Sequence, residues 1–202
     1  MNPDDEIRHL AELMPASGRM YVKLIDRPVQ EKVIDARLPL PWEQSRPVYL
    51  NFDLWEELTR SQRDMLLLRT VCWLNAPRWF QFDLSRGLLL VGAVGTFVEV
   101  VQGDAIGIVA AGGLTTLAGL QIWRNGRSSQ MELAADESAI KVARQRGYAE
   151  ADAARSLLSA IEAAAKIENR FGLDFVELLR CQNLRAIAGL SGVSVPDDLR
   201  KR

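Results

Sequence analysis

The chain has 202 residues, and its 25 Lys and Arg balance 26 Asp and Glu. The net charge is near zero, so the chain has no basic excess that would favour nucleic-acid binding. It also has no acidic tail that would favour a disordered, solvating role. Two cysteines are too few for a disulfide framework. With only one histidine beside them, the chain has few ligands for a zinc site and no plausible Ser-His-Asp triad. The acidic N-terminus lacks an apolar core, so we expect no ordinary secretory signal peptide.

The first fifty residues predict a short helix followed by a small sheet. Apolar residues recur at helical spacing over 3–14, and Pro15 ends that helix. Three β-rich stretches at 20–25, 33–38 and 48–52 predict short strands, which we expect to pair antiparallel.

The remaining polar parts of the chain are predicted to be helical. Residues 53–76 favour a helix whose longer part is capped at Thr59 and closed before Pro77. Three more helices are predicted at 128–146, 149–170 and 174–188. We therefore expect a mainly α fold with a small N-terminal antiparallel sheet.

A strongly apolar insert at 84–123 separates the two polar parts. It carries three charges in forty positions, and 105–123 is a run of nineteen uncharged residues. About 20 residues of helix cross a hydrocarbon core of about 30 Å, so the insert predicts a two-helix transmembrane hairpin. Its glycines would let the two helices approach closely. Arginines flank its outer ends, which predicts that both termini are cytoplasmic.

These features predict four parts of the chain. They are 1–83 with the first helix, the sheet and the 53–76 helix; 84–123 with the hairpin; 124–190 with helices that pack back on the N-terminal part; and 191–202 as a flexible tail.

The order of these elements resembles that of the HtpX/Ste24-type membrane zinc metallopeptidases. In that family a helix bearing His-Glu-x-x-His is followed by a later helix whose Glu-x-x-Ala-Asp motif supplies a third metal ligand, and a Gly-Tyr step comes next. Here the Glu-x-x-Ala-Asp motif stands at 132–136, Gly-Tyr stands at 147–148, and 51–59 is similar to the lead-in to the ligand helix. The layout is also similar to an uncharacterised family of small cyanobacterial membrane proteins.

The ligand helix departs from the family pattern. Arg69, Thr70 and Trp73 stand where the family has its first histidine, its catalytic glutamate and its second histidine. Zinc proteolysis needs two imidazoles one helical turn apart and a carboxylate base, so the resemblance implies a degenerate zincin-like core without catalytic residues, metal or cofactor. The degenerate site would comprise these three residues with Glu132 and Asp136.

The same resemblance predicts what occupies the place of the metal. A buried carboxylate needs a partner, and arginine offers a planar set of donors. We therefore predict that the guanidinium of Arg69 stands there and pairs with Glu132, Asp136 or both. The alternative is that Arg69 points to solvent and Glu132 is a surface charge.

The sequence thus predicts a non-catalytic, pseudoprotease-like integral membrane protein. It would contact the lipid bilayer, bind a membrane-protein partner and act in assembly or quality control of membrane complexes. Two alternatives stay open. One is a metal-dependent membrane hydrolase with atypical ligands such as Glu132, Asp136 and Cys72, and the other is a soluble helical interaction domain with a buried apolar hairpin.

Overall fold

Helices dominate the described chain, and a three-stranded sheet lies near the N-terminus. The structure is a computed structural model that describes residues 2–37, 43, 45–75 and 129–190. The prediction of a mainly helical fold with a small sheet is confirmed. The chain divides into one unit of Met1–Ala76 with Gln130–Arg202 and a second of Pro77–Ser129, and all but the last residue of the second lies outside the described ranges.

Two helices precede the sheet. They are α1 at Pro3–Leu13 and α2 at Ala16–Tyr21. Asn2 caps α1 by accepting a hydrogen bond from the Asp4 amide, and Leu10 and Leu13 face the core. Sequence reasoning missed α2, since the β-rich pattern was extended back to residue 20. Pro15 starts this helix, because its fixed φ suits the position before a first turn.

The sheet is mixed, so the prediction that it is antiparallel is wrong for one of its two pairings. Its strands are β1 at Val22–Asp26, β2 at Ile34–Ala36 and β3 at Arg46–Leu50. The central strand is β3, which runs parallel to β1 and antiparallel to β2. The Nδ2 group of the Asn51 side chain donates to the carbonyls of Pro28 and Gln30 over 3.0 and 2.9 Å. The turn at 27–33 therefore lies against the end of β3, and β3 separates β1 from β2.

Five helices follow the sheet. They are α3 at Phe52–Trp55, α4 at Arg60–Asn75, α5 over the described residues 129–145, α6 at Glu150–Ile167 and α7 at Phe175–Ile187. Eight residues of α4 are buried, and the helix packs against α6, α1 and the sheet. The alanine-rich side of α6 packs between α4 and α7. The core of this unit therefore lies between α4, α6 and the inner face of the sheet.

The described helices contradict the prediction of an integral membrane protein with cytoplasmic termini. None of them is long and apolar enough to cross a bilayer. The longest, α6, has 18 residues, but five acidic and basic side chains interrupt its sequence because only one side of the helix is buried. The predicted hairpin at 84–123, like the tail at 191–202, lies outside the described residues.

Candidate functional site

Three helices bring four charged side chains into one buried cluster, which we call the charge cluster. Its members are Arg69 from α4, Glu132 and Asp136 from α5, and Arg180 from α7. Asp136 is completely buried. Arg180 donates to both of its carboxylate oxygens, from Nε and from Nη2, over 2.8 Å each. This bidentate geometry is the strongest arrangement that arginine and a carboxylate form.

Arg69 completes the charge cluster from the opposite side. Its guanidinium forms an ion pair with Glu132, and its Nε lies 3.7 Å from Asp136 Oδ1. Arg180 also reaches Glu132, with 3.9 Å between Nη1 and Oε2. The prediction that Arg69 pairs with Glu132, Asp136 or both agrees with these contacts, and the alternative of a solvent-facing Arg69 is wrong. That the guanidinium replaces a metal stays a prediction.

The other two residues of the predicted degenerate site lie around Arg69 without joining its ion pairs. Trp73 is half-buried, and its ring centroid lies 6.0 Å from the Arg69 guanidinium carbon, which is within reach of a cation–π contact. Thr70 is buried, and its hydroxyl donates to the Leu66 carbonyl of the same helix over 2.8 Å. The hydroxyl proton of Thr70 is therefore engaged within α4.

The electrostatics of the charge cluster keep both of its arginines protonated at neutral pH. Burial and the neighbouring Arg180 cation lower the pKa of Arg69 to about 9, against the opposing effect of Asp136 and Glu177. Burial also acts on Arg180, but Asp136 outweighs it and raises the pKa of that guanidinium. Both arginines are therefore cationic at neutral pH, and their charges balance those of the two carboxylates. Neither cation can act as a general base.

Cys72 does not join the metal-ligand set that one alternative required of it, among the residues that the structure describes. Burial raises the pKa of its thiol to about 11, so the thiol is protonated at neutral pH. Across the described ranges no three His, Cys, Asp or Glu side chains lie close enough together to hold a metal ion. The proposed ligand set of Glu132, Asp136 and Cys72 is therefore not assembled there.

A second polar cluster forms around the buried Asp64 of α4, and it was not predicted from the sequence. His9 Nε2 lies 2.9 Å from one carboxylate oxygen of Asp64, and the Tyr148 hydroxyl donates to the other over 2.6 Å. Arg60 donates to His9 Nδ1 over 3.2 Å, so the other ring nitrogen, Nε2, is the one that faces Asp64. We call these four residues the Asp64 cluster.

The Asp64 cluster gives the Gly-Tyr step a structural role. Gly147 has a φ of +96°, a conformation that favours glycine, and it turns the chain directly after α5. The turn places Tyr148 on Asp64, and the preceding Arg146 donates to the carbonyls of Leu13 and Met14 over 3.1 and 2.9 Å. The step therefore holds α1, α4 and α5 together. The sequence signals for this cluster were its one histidine and its Gly-Tyr step. Nothing in the sequence indicated that both would contact Asp64.

The described residues define a mainly helical domain whose elements are joined by two polar clusters, each built on a buried aspartate, Asp136 in one and Asp64 in the other. The chain belongs to DUF3318, a family described as proteins of unknown function, whose model matches residues 8–148. That range includes Arg69, the 132–136 motif and Tyr148, whereas Arg180 lies beyond it. No curated protein and no solved structure matches the chain. Nothing in these comparisons links it to the zinc metallopeptidases, so that resemblance stays a prediction.

Proposed function

We propose that this chain is a helical interaction domain, which binds another protein and catalyses no reaction of its own. The observation that carries the proposal is an exposed apolar surface around α7. It comprises Phe171, which is fully exposed, with Phe175, Leu178 and Leu190, which are 73%, 55% and 60% exposed. We call these four residues the α7 surface. Large apolar side chains left exposed to solvent are typical of protein interaction sites.

The α7 surface is presented by a helix that is fixed in place. At its start, Asp174 and Glu177 form a capping box, and on its inner side Arg180 is bonded to Asp136. A helix held in this way loses little conformational entropy when a partner binds. Phe175 and Leu178 are one helical turn apart, so both can enter the same groove of a partner.

The charge cluster supports the non-catalytic part of the proposal. Its two carboxylates are engaged by arginines, and both arginines stay protonated at neutral pH. A general acid–base reaction needs a group that gains or loses a proton near the working pH. The charge cluster therefore supports the packing of α4, α5 and α7 and supplies no such group.

The experiment compares two double variants of the full chain as affinity baits. Phe175→Ser/Leu178→Ser changes the α7 surface, and Asp152→Ala/Arg155→Ala changes an exposed ion pair on α6 as a matched control. We expect the natural chain and the control to retain one stoichiometric partner that the α7 variant loses, with unfolding midpoints unchanged. Recovery of the same proteins with all three baits would contradict the proposal.

We also propose that the charge cluster is a zincin-like core in which Arg69 has replaced the metal. Arg69 and Trp73 are four residues apart on α4, lie close to each other, and Arg69 contacts Glu132. In metallopeptidases, two histidines four residues apart on one helix hold zinc together with a glutamate from a second helix. The proposal supports a binding role, since the chemical groups of that reaction are absent from these positions.

A further inference from the structure

One face of the sheet is exposed along β1. Side chains alternate between the two faces of a strand, so Lys23 and Ile25 of β1 and Arg27 directly after it point to the same side. All three are exposed, whereas Val22 on the other side is buried. Ile25 lies beside Tyr49 of β3, and the Arg27 guanidinium carbon lies 5.3 Å from the Tyr49 ring centroid. We call Lys23, Ile25, Arg27 and Tyr49 the outer face of the sheet.

The outer face belongs to two strands that run parallel, β1 and β3. Parallel pairing is typical of sheets that carry helices on both faces. Here the inner face packs into the core through Val48 and Leu50, which are completely buried. On the outer face Ile25 is 40% exposed, and Val29 in the turn that follows is 91% exposed. Among the described elements, helices therefore cover the inner face, and the outer face keeps apolar surface open to solvent.

Two cations of the outer face have no acidic partner. Lys23 and Arg27 form no ion pair with any residue that the structure describes. Across the sheet, Asp35 of β2 lies on the same side, but Lys32 already pairs with its carboxylate over 3.1 Å. Asp26 is also exposed, yet alternation places it on the opposite side of β1. The outer face therefore presents two unpaired positive charges on either side of an apolar residue.

From these observations we infer that the outer face binds an amphipathic helix of a partner protein, in which two acidic residues flank an apolar one at intervals of four. Along the strand, Lys23, Ile25 and Arg27 follow each other at intervals of two residues, or about 7 Å. On a helix, residues four positions apart share one side and are separated by about 6 Å along the axis. The two rows match, so each acidic side chain meets a cation and the apolar side chain meets Ile25.

The outer face shares no residue with the α7 surface, so the two proposals can fail separately. The probe is a fluorescein-labelled, alanine-based peptide of about 20 residues, long enough to form a helix, with glutamate, leucine and glutamate at intervals of four. It is titrated with the full chain and followed by fluorescence anisotropy. We expect saturable binding to the natural chain and to the Phe175→Ser/Leu178→Ser variant. A peptide of the same composition, with leucine on the side opposite the glutamates, should bind at least about tenfold more weakly.

An exchange of charges separates recognition by the outer face from attraction to the chain as a whole. Lys23→Glu/Arg27→Glu should weaken binding of the glutamate peptide at least about tenfold, and this variant should instead bind a peptide with lysine in place of glutamate. The matched control Lys141→Glu/Lys166→Glu reverses two exposed lysines on α5 and α6 and should leave binding of the glutamate peptide unchanged.

Several outcomes would overturn the inference. They are equal binding of the two glutamate peptides, an equal loss in the control variant, and no binding at all. A dimer of the natural chain that Lys23→Glu/Arg27→Glu abolishes would assign the outer face to a second copy. Binding of phosphatidylglycerol vesicles in place of the peptide, lost in the same variant, would assign it to a lipid surface.

Discussion

Arg180 donates two hydrogen bonds of 2.8 Å to Asp136, across 44 residues of sequence, and the carboxylate is completely buried. A buried charge in this setting is tolerable only while its partners remain, because desolvation of an unpaired ion costs several kcal/mol. Arg69 approaches the same carboxylate to 3.7 Å. One aspartate on α5 therefore joins α4 to α7. Its removal should lower the free energy of unfolding of the whole unit.

The first prediction concerns that aspartate. Asp136→Asn keeps the side-chain shape but leaves two buried arginines facing one carboxylate. The free energy of unfolding should fall by about 3–5 kcal/mol, measured by urea denaturation. Asp152→Asn is the control, since its pair with Arg155 is exposed and should be worth about 1 kcal/mol or less. Equal losses in both variants would show that burial adds nothing to the pair.

The second prediction concerns the Asp64 cluster and its pH dependence. Burial, the hydrogen bond to Asp64 and the charge of that carboxylate together raise the pKa of Tyr148 from 10 to about 12. A raised pKa means that the stabilisation is fully present below pH 10 and is lost as the pH rises through 12. Tyr148→Phe should cost about 1.5–3 kcal/mol at neutral pH.

The measurement for Tyr148 is the difference in unfolding free energy between the natural chain and the variant. That difference should be constant below pH 10 and should shrink between pH 10 and 12. Tyr49→Phe provides the control, because within the described ranges the Tyr49 hydroxyl forms no hydrogen bond that the substitution could remove. A difference that stays constant up to pH 12 would contradict the assigned bond.

The third prediction concerns the close contact between α2 and α4. A Cβ added to Gly18 would lie 2.7 Å from Val71 Cγ1 and 3.3 Å from Met14 Cβ. Gly18→Ala should therefore lower the unfolding free energy by about 1–3 kcal/mol through overpacking. Gly172→Ala is the matched control, because nothing lies within 4 Å of its added Cβ. A Gly18→Ala variant as stable as this control would mean that the two helices separate without cost.

The fourth prediction tests the proposed zincin-like core. Arg69→His/Trp73→His places two imidazoles one helical turn apart beside Glu132, so we expect stoichiometric zinc after dialysis, read by elemental analysis. Glu132→Gln added to that variant should release the zinc. The control Asp152→His/Ser156→His has the same spacing on α6 without a third ligand. Zinc retention no better than in this control would reject the zincin-like core and leave the proposed interaction domain intact.

Local signals in the sequence determined most of the helices. Apolar spacing and the Thr59 start predicted α4, and the ranges predicted for α5, α6 and α7 agree with the structure to within a few residues. These signals succeed because helix formation depends on residues three and four positions apart. They failed at α2, which was not predicted and whose last two residues, Met20 and Tyr21, were assigned to the β-rich stretch at 20–25.

The candidate site was predicted only in part. The member that was missed, Arg180, is the one contributed by a distant helix. The chemistry of a buried carboxylate was enough to expect a cation beside Glu132 and Asp136, and Arg69 was the cation that the resemblance offered. Arg180 could not be anticipated, because it comes from a helix whose position depends on how α6 packs between its neighbours.

The sequence by itself determined the helical class, the three strands and the kinds of side chain that need partners. The tertiary structure decided which partners meet, including His9 and Tyr148 at Asp64, 55 and 84 residues apart. It also decided that β3 lies between the other strands and that the apolar residues of the α7 surface are exposed. The physical reason is that local preferences depend on near neighbours in the chain. Strand order, ion-pair partners and exposure depend on how distant elements fill one shared core.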